Sequence, residues 1–486
     1  MNPSLARSIG ALLLSLAALA PIARAQGFDT PPQPGAPRPL TVRAPVEQRL
    51  PNGLRVVLAE RRGVQLVTAQ LVVLSGSEVD PPQRAGLASM TAGLLTKGTR
   101  RHGATALAQA AESLGGALDS GAGWHQSEVA ITVTVPKLDA ALGLVSEVVQ
   151  QPVFAPAELD RLRAQALDEL KVAYTQPATL AGLAAQRLLF GSGAYGHPAG
   201  GTPASLARIA RADLLALHAA RYRPDNAVLV LAGDLHAADA LRLAQRHFGA
   251  WKARGSAAAP APLPVGAALA QSTAVIDLPA SGQAAVVVAA ALPPLGADRA
   301  TAAVMNAVLG GGYSSRLNQE IRIRRGLSYG AGSALDAFAD GGSLRAVVQT
   351  KNESAAEVLG LVQSELDRLA AAPVGADELA ARKATLIGDF SRSVETTAGL
   401  GAAVKALIVA GRPLAELGLR IDALSAVGAD AVQRYAAAQL GTNGRRVVVA
   451  GDAARFAQAL KATTPGLSVI ASDKLDLDLG SALSAP

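Results

Sequence analysis

Two residues with an evident capacity for chemistry are Arg322 and Tyr329, seven positions apart in the stretch 309–333. A guanidinium and a phenol can both donate hydrogen bonds to an oxygen that gathers negative charge. The letters around them read as a helix-to-strand corner. Gly310, Gly311 and Gly312 free the backbone for a tight turn or a close approach. Ser314 or Ser315 offers an N-cap, Leu317 and Ile321 lie one turn apart on one face, and Gly326 ends the helix. Arg322, Arg324 and Arg325 crowd the last turn, where the helix dipole favours cations. Residues 327–333 then read as a short strand that delivers Tyr329 just past the turn. Such a corner can aim both donors at one point. The same letters also fit a capped helix with a solvated basic end and a half-buried tyrosine.

Other chemistries find no support in the residue pattern. The six histidines, His102, His125, His197, His218, His236 and His247, are scattered, with no H-x₃-H or H-x-H pair. No Gly-x-Ser-x-Gly elbow follows a strand, and no Gly-Lys-Ser/Thr follows the glycines at 310–312. The chain has no cysteine, which removes disulfides, thiolate metal sites, a cysteine nucleophile and a lipid-modified cysteine. A formal net charge of +7, without a basic stripe interleaved with aromatics, does not suggest nucleic acid.

The elements that position the corner follow from length and periodicity. The 486 residues suffice for two or more domains, and with aromatics at 3% the core must be mostly Ala, Leu and Val. Residues 1–25 read as a secretory signal: Arg7, an apolar run, then Ala23-Arg24-Ala25 with cleavage after Ala25. That implies an exported, periplasmic protein without a membrane anchor after cleavage. Residues 26–47 form a proline-rich leader, and order is expected from Gln48. Strands are expected at 54–59, 67–74, 129–135 and 228–232, with helices at 85–95, 105–114, 138–149 and 157–174. Residues 252–271 are an Ala/Pro/Gly-rich linker between a first domain at 48–251 and a second at 272–486. The plan then repeats at a nearly constant offset. The strand at 284–291 answers the one at 67–74, the helix at 298–309 answers 85–95, and 447–452 answers 228–234, both ending in Gly-Asp. Two copies of one α+β domain follow, each a mostly antiparallel sheet flanked by helices.

The run G-G-G-x-x-S-R-L-x-x-x-I-R-x-x-x-G-L-x-Y at 310–329 resembles the C-terminal half of pitrilysin/insulinase-type zinc peptidases. In that family an Arg and a Tyr at this spacing face the substrate, and they match Arg322 and Tyr329. The resemblance extends over about residues 48–460 and implies two homologous halves that form half of a clamshell chamber. Peptide-cleaving members resemble G-L-A-H-x-x-E-H-x-L-x-x-G-T, with two histidines on one helix face for zinc and a Glu to activate water. Here the run 86–99 keeps that frame but has Ser89, Ala92 and Gly93 in place of His, Glu and His. A hydroxyl, a methyl and a hydrogen can neither hold zinc nor take a proton from water. Glu169 matches the family's third ligand, and alone it reads as a solvated helix residue. No cofactor is expected in this chain.

The family includes heterodimers in which one subunit carries zinc and the other the Arg/Tyr pair. The resemblance therefore implies a non-catalytic subunit of a heteromeric zinc metallopeptidase, inactive alone, whose zinc-bearing partner belongs to the same family. An unfolded peptide would add to a sheet edge, for which the strand near Asp119 and Ser120 is the candidate, although the family has Asn-Ala there. Gly310, Gly311 and Gly312 would flank the substrate, and Arg322 and Tyr329 would donate to the oxyanion at the partner's zinc. The alternative is an inactive homologue that serves as an exported peptide-binding or assembly scaffold.

Overall fold

The computed structural model describes residues 41–253, 264–464, 467–478 and 483. The secretory signal, residues 26–40 of the leader and residues 254–263 of the linker lie outside them. Two six-stranded sheets carry the fold. The first has the order β1-β2-β6-β3-β5-β4, where β1 is Val46–Arg49, β2 Arg55–Glu60, β3 Leu66–Val73, β4 Asp119–Ala122, β5 Ser127–Thr134 and β6 Ala227–Gly233. Pairing begins at Val46, two residues before Gln48, because β1 lies antiparallel on β2 with Val46 opposite Leu58. The second sheet has the order β12-β7-β11-β8-β10-β9. Its strands are β7 Thr273–Asp277, β8 Ala284–Leu292, β9 Ser328–Ala337, β10 Gly342–Thr350, β11 Arg445–Gly451 and β12 Ser468–Ala471. Position by position, β2, β6, β3, β5 and β4 correspond to β7, β11, β8, β10 and β9. The repeat in the sequence is thus a repeat in topology, and β4 and β9 are equivalent free edges. The sheets differ at the other end, where β1 is antiparallel to β2 but β12 is parallel to β7.

Residue pattern explains the strand positions. β6 is buried at every residue and sits between β2 and β3, so it reads as a continuous apolar run. β5 alternates buried and half-buried residues because one face is packed more tightly.

One face of each sheet packs on its own helices. The first core gathers Leu71, Leu94, Ile131, Leu142 and Phe248, and the second gathers Val286, Met305, Ile321, Leu344 and Val449. The other faces are covered by exchanged helices. Helix Pro177–Phe190 of the first half lies on β8 and β11, while helix Thr397–Val409 of the second half lies on β3 and β6. Small residues permit the close approach: Ala181, Ala184 and Ala185 meet a sheet face of Ala285, Val287 and Ala289. Thr68 and Thr397 hydroxyls join the other pair at 2.8 Å. The hairpin turns beyond β4 and β9 also meet. Tyr195 stacks on Phe338 with centroids 4.2 Å apart, and the Ala339 N–H donates to His125 Nε2 at 3.1 Å.

Candidate functional site

The corner at 310–329 is organised by close backbone contacts. Gly310 is buried, and its carbonyl accepts the Ser333 N–H at 3.0 Å. A Cβ at Gly310 would lie 2.3 Å from that nitrogen, so only glycine fits under β9. Gly311 and Gly312 stay exposed. The helix that follows is π-wound over Asn318–Arg324, a geometry found mostly in single turns and often at functional sites. Neither serine caps it through its side chain. Ser314 Oγ is taken by Arg382, and Ser315 Oγ is buried without a hydrogen-bond partner. Leu317 and Ile321 are both fully buried in the second core. Gly326 adopts φ 64°, its N–H donates to the Arg322 carbonyl, and the Leu327 N–H reaches the Ile321 carbonyl, each at 3.0 Å. This left-handed cap closes the wide turn and points the chain into β9.

The three arginines then separate. Glu320 binds Arg324 at 2.8 Å and Arg325 at 2.9 Å, and hydrogen bonds from Arg325 and Arg324 hold its carboxyl below the usual carboxylate range. The Arg322 side chain has no hydrogen bond or ion pair among the described residues. Its Cζ instead lies 4.8 Å from the Tyr329 ring centroid and 5.2 Å from that of Tyr313. Tyr329 is 89% exposed and Tyr313 66% exposed. Tyr329 is therefore not a half-buried packing residue. The guanidinium is held between two rings with its N–H donors unclaimed. Buried Asn318 ties the parts together, since its Nδ2 donates to the Tyr313 carbonyl and its Oδ1 accepts from the Ala331 N–H. Tyr313 and Asn318 carry no role in the sequence reading. The tyrosine just after the last glycine, at the mouth of an arginine-rich helix, was the available cue.

A second constellation lies along the first sheet. Ser89 and Gly93 on helix Leu87–Leu94, Glu169 on helix Pro156–Ala173 and Ser120 on β4 line one cleft of about 420 Å³. Ala92 is fully buried and does not line it. Two of the three degenerate motif positions, Ser89 and Gly93, are thus brought together with Glu169 and the edge strand. They do not fit zinc. One hydroxyl and one carboxylate fall short of a ligand set, and a Cβ at Gly93 would lie 3.3 Å from Leu162 Cδ2. Glu169 is engaged by Gln165 Nε2 at 2.9 Å. Among the described residues no group of three His, Cys, Asp or Glu could hold a metal ion. The helix is nonetheless firmly set. Asp80 accepts N–H groups of Gly86 at 3.0 Å and Ala88 at 2.9 Å, and burial pushes its carboxyl up to about 8. Nearby Glu78 accepts from the Gly76 N–H at 2.7 Å, and burial pushes it up to about 7.

Asp119 begins β4 and is exposed, while the corner belongs to β9. The two constellations occupy equivalent edges of the two sheets and share no residue. The histidines serve locally: His102 pairs with Glu147 at 2.8 Å, His247 with Asp139 at 2.6 Å, and His218 Nε2 lies 2.8 Å from the Val149 carbonyl. Among the described residues no helix is long and apolar enough to cross a membrane.

Fold and site define a peptidase-like pair of repeated α+β units whose counterpart of the metal helix lacks its ligands. The chain belongs to the M16 (insulinase) peptidase family, with residues 55–190 matching the model described as insulinase (peptidase family M16) and 208–386 that of the peptidase M16 inactive domain. An uncharacterized zinc protease of Mycobacterium leprae is 30% identical over 347 residues, 71% of this chain and 78% of the relative. The uncharacterized zinc protease YmxG of Bacillus subtilis is 23% identical, covering 71% of this chain and 83% of its own. A peptidase M16 inactive domain from Pseudomonas fluorescens matches with a TM-score of 0.78 at 27% identity, over 84% of this chain and 98% of that one. The first half of the periplasmic protease PqqL from Escherichia coli shares the fold, with a TM-score of 0.69 at 14% identity over 92% of this chain and 98% of that one.

Proposed function

We propose that this chain is the non-catalytic subunit of a heteromeric M16-type metallopeptidase, exported after removal of residues 1–25. Its two halves pair with a zinc-bearing subunit of the same family to enclose a peptide. Arg322 and Tyr329 reach the partner's zinc site and donate to the carbonyl oxygen as it becomes an oxyanion, while exposed Gly311 and Gly312 allow the substrate backbone to pass closely. The free edge of β4, with Asp119 and Ser120, takes up extended peptide by strand addition. The observation that carries this reading is the unpaired Arg322 guanidinium, fixed between Tyr313 and a Tyr329 that is 89% exposed. Two donors held together at a surface, with no hydrogen-bond partner among the described residues, suit an oxygen supplied from outside. The chemistry of Ser89, Ala92 and Gly93 supports a zinc site elsewhere than in this chain.

The test is reconstitution with a family member carrying H-x-x-E-H. Neither subunit alone should cleave unfolded peptide efficiently, and the mixture should. Equal turnover by the zinc subunit with and without this chain would contradict the reading. It would favour the scaffold alternative, which the cleft beside β4 supports as a place for peptide capture.

A further inference from the structure

His125 and Ala339 sit on equivalent hairpin turns of the two halves, the first between β4 and β5 and the second between β9 and β10. Phe338 anchors the second turn among rings of the first half. It stacks on Tyr195 and meets Trp124 and Phe190 edge-on, with centroids 5.7 and 5.6 Å away. That packing aims the next residue at the imidazole, and the Ala339 N–H donates to His125 Nε2 at 3.1 Å. The Tyr195 hydroxyl lies 3.3 Å from the same nitrogen.

A backbone N–H can only donate, so Nε2 carries a free lone pair here. The neutral ring therefore holds its proton on Nδ1. A proton taken up from solvent at Nε2 would set N–H against N–H, and the Ala339 bond would be lost. The Tyr195 oxygen can accept from a protonated Nε2. The ring would then keep its partner in its own half and lose the one in the other.

The surroundings favour the neutral ring. Burial, opposed by the charge of Asp340, holds the imidazole below its ordinary value of 6.5. Asp340 is exposed, so water screens it. Burial, and then Asp340, push the Tyr195 hydroxyl up, so it keeps its proton while an imidazole titrates. Arg299, Lys405 and Arg412 line a cavity of about 410 Å³ that His125 also borders. Glu128 binds Lys405 at 2.7 Å, and Glu416 binds Arg412 at 2.6 Å. His197, 5.5 Å from Trp124 between centroids, is also lowered by burial, but its Nδ1 donates to the Pro198 carbonyl of its own half.

We propose that His125 is a pH-sensitive latch between the two halves: neutral, it accepts the Ala339 N–H and fastens the turns, and protonation at Nε2 releases that bond. Phe338 and the exchanged helices stay in place, so release loosens the turn end of β9 without parting the halves. The other end of β9 bears Tyr329. Because the folded value is depressed, the stability this bond contributes is present above 6.5 and is lost as pH falls through the folded value.

The experiment uses the full mature chain with isotope-labelled histidine and reads, by NMR, the ring nitrogens and the Ala339 amide. At neutral pH Nε2 of His125 should show the shift of an unprotonated nitrogen, and the ring should titrate below 6.5. Exchange of the Ala339 amide, corrected for its intrinsic rate, should be roughly two- to tenfold faster once the ring is protonated, the worth of one hydrogen bond. His125→Gln assigns the ring signals by their loss. Its side-chain carbonyl accepts but does not titrate, so the pH dependence of that exchange should vanish. A proton on Nε2 at neutral pH would overturn the proposal. So would exchange at Ala339 that ignores pH, or a response that His125→Gln retains, which would place the sensor in another group such as His197.

Discussion

The guanidinium of Arg322 lies 4.8 Å from the ring centroid of Tyr329, and the ring, rather than an acid, is what holds it. Within the same turn Glu320 neutralises Arg324 and Arg325. The helix thus sequesters two of its three cations and leaves the third aimed outward beside a phenol.

Tyr313 completes this arrangement from the other side, 5.2 Å from the guanidinium. A cation–π contact at an exposed site contributes about 0.5–1 kcal/mol. Tyr313→Ala should therefore lower kcat of the reconstituted peptidase by roughly two- to fivefold while KM and Tm move little. Steady-state kinetics beside a melting curve checks this. A large loss of Tm would make Tyr313 a folding residue instead.

The glycines divide by packing. Gly310→Ala would drive a Cβ to 2.3 Å from the Ser333 nitrogen and should cost about 1–3 kcal/mol of stability. A Cβ at Gly312 would meet nothing within 4 Å, so Gly312→Ala should stay within about 0.5 kcal/mol. Urea unfolding of both variants measures the contrast, and equal losses would show that the turn is held otherwise.

Asp80 and Glu78 give stability a pH dependence of definite sign. Their folded values, about 8 and about 7, lie above the ordinary carboxylate values of 3.8 and 4.5. The stability they contribute is full below the unfolded values and is lost as pH rises through about 7 to about 8. Asp80→Asn keeps an acceptor for the backbone of helix Leu87–Leu94 but cannot ionise. Its Tm relative to the native chain should rise between about pH 5 and pH 8 and level off above that. A difference independent of pH would mean that Asp80 does not change protonation in this range.

The exchanged helices bear on the linker. Protease should cut first within residues 252–271, whose composition is that of a linker. Helix Pro177–Phe190 on β8 and β11, and helix Thr397–Val409 on β3 and β6, should keep the two fragments together. Gel filtration of the nicked chain should give one peak, and two separated fragments would contradict this packing.

Much of this architecture was legible in the letters. Alternation at 129–135 marked β5, the apolar run at 228–232 marked β6, and the repeated Gly-Asp endings identified equivalent strands of two sheets. Leu317 and Ile321 were readable as one buried face, and Gly326 as its stop. The rest depended on contacts distant in sequence. Nothing local shows that Pro177–Phe190 covers the other half's sheet, because its apolar positions would suit either sheet. β1 is exposed at all four residues and has no apolar alternation to announce it. The π-winding at Asn318–Arg324 hides because one helix face looks apolar at either pitch. Tyr313 could be seen as an aromatic after glycines, but its place over Arg322 requires the turn that Asn318 ties.

The most direct measurement of the central claim is peptide turnover by a reconstituted complex carrying Tyr329→Phe in this chain. The ring stays, so the contact with Arg322, the fold and the assembly should persist, and only one donor is removed. With assembly checked by size, kcat should fall by about 10²–10³ while KM stays near its native value. Full turnover by a correctly assembled Tyr329→Phe complex would contradict the account.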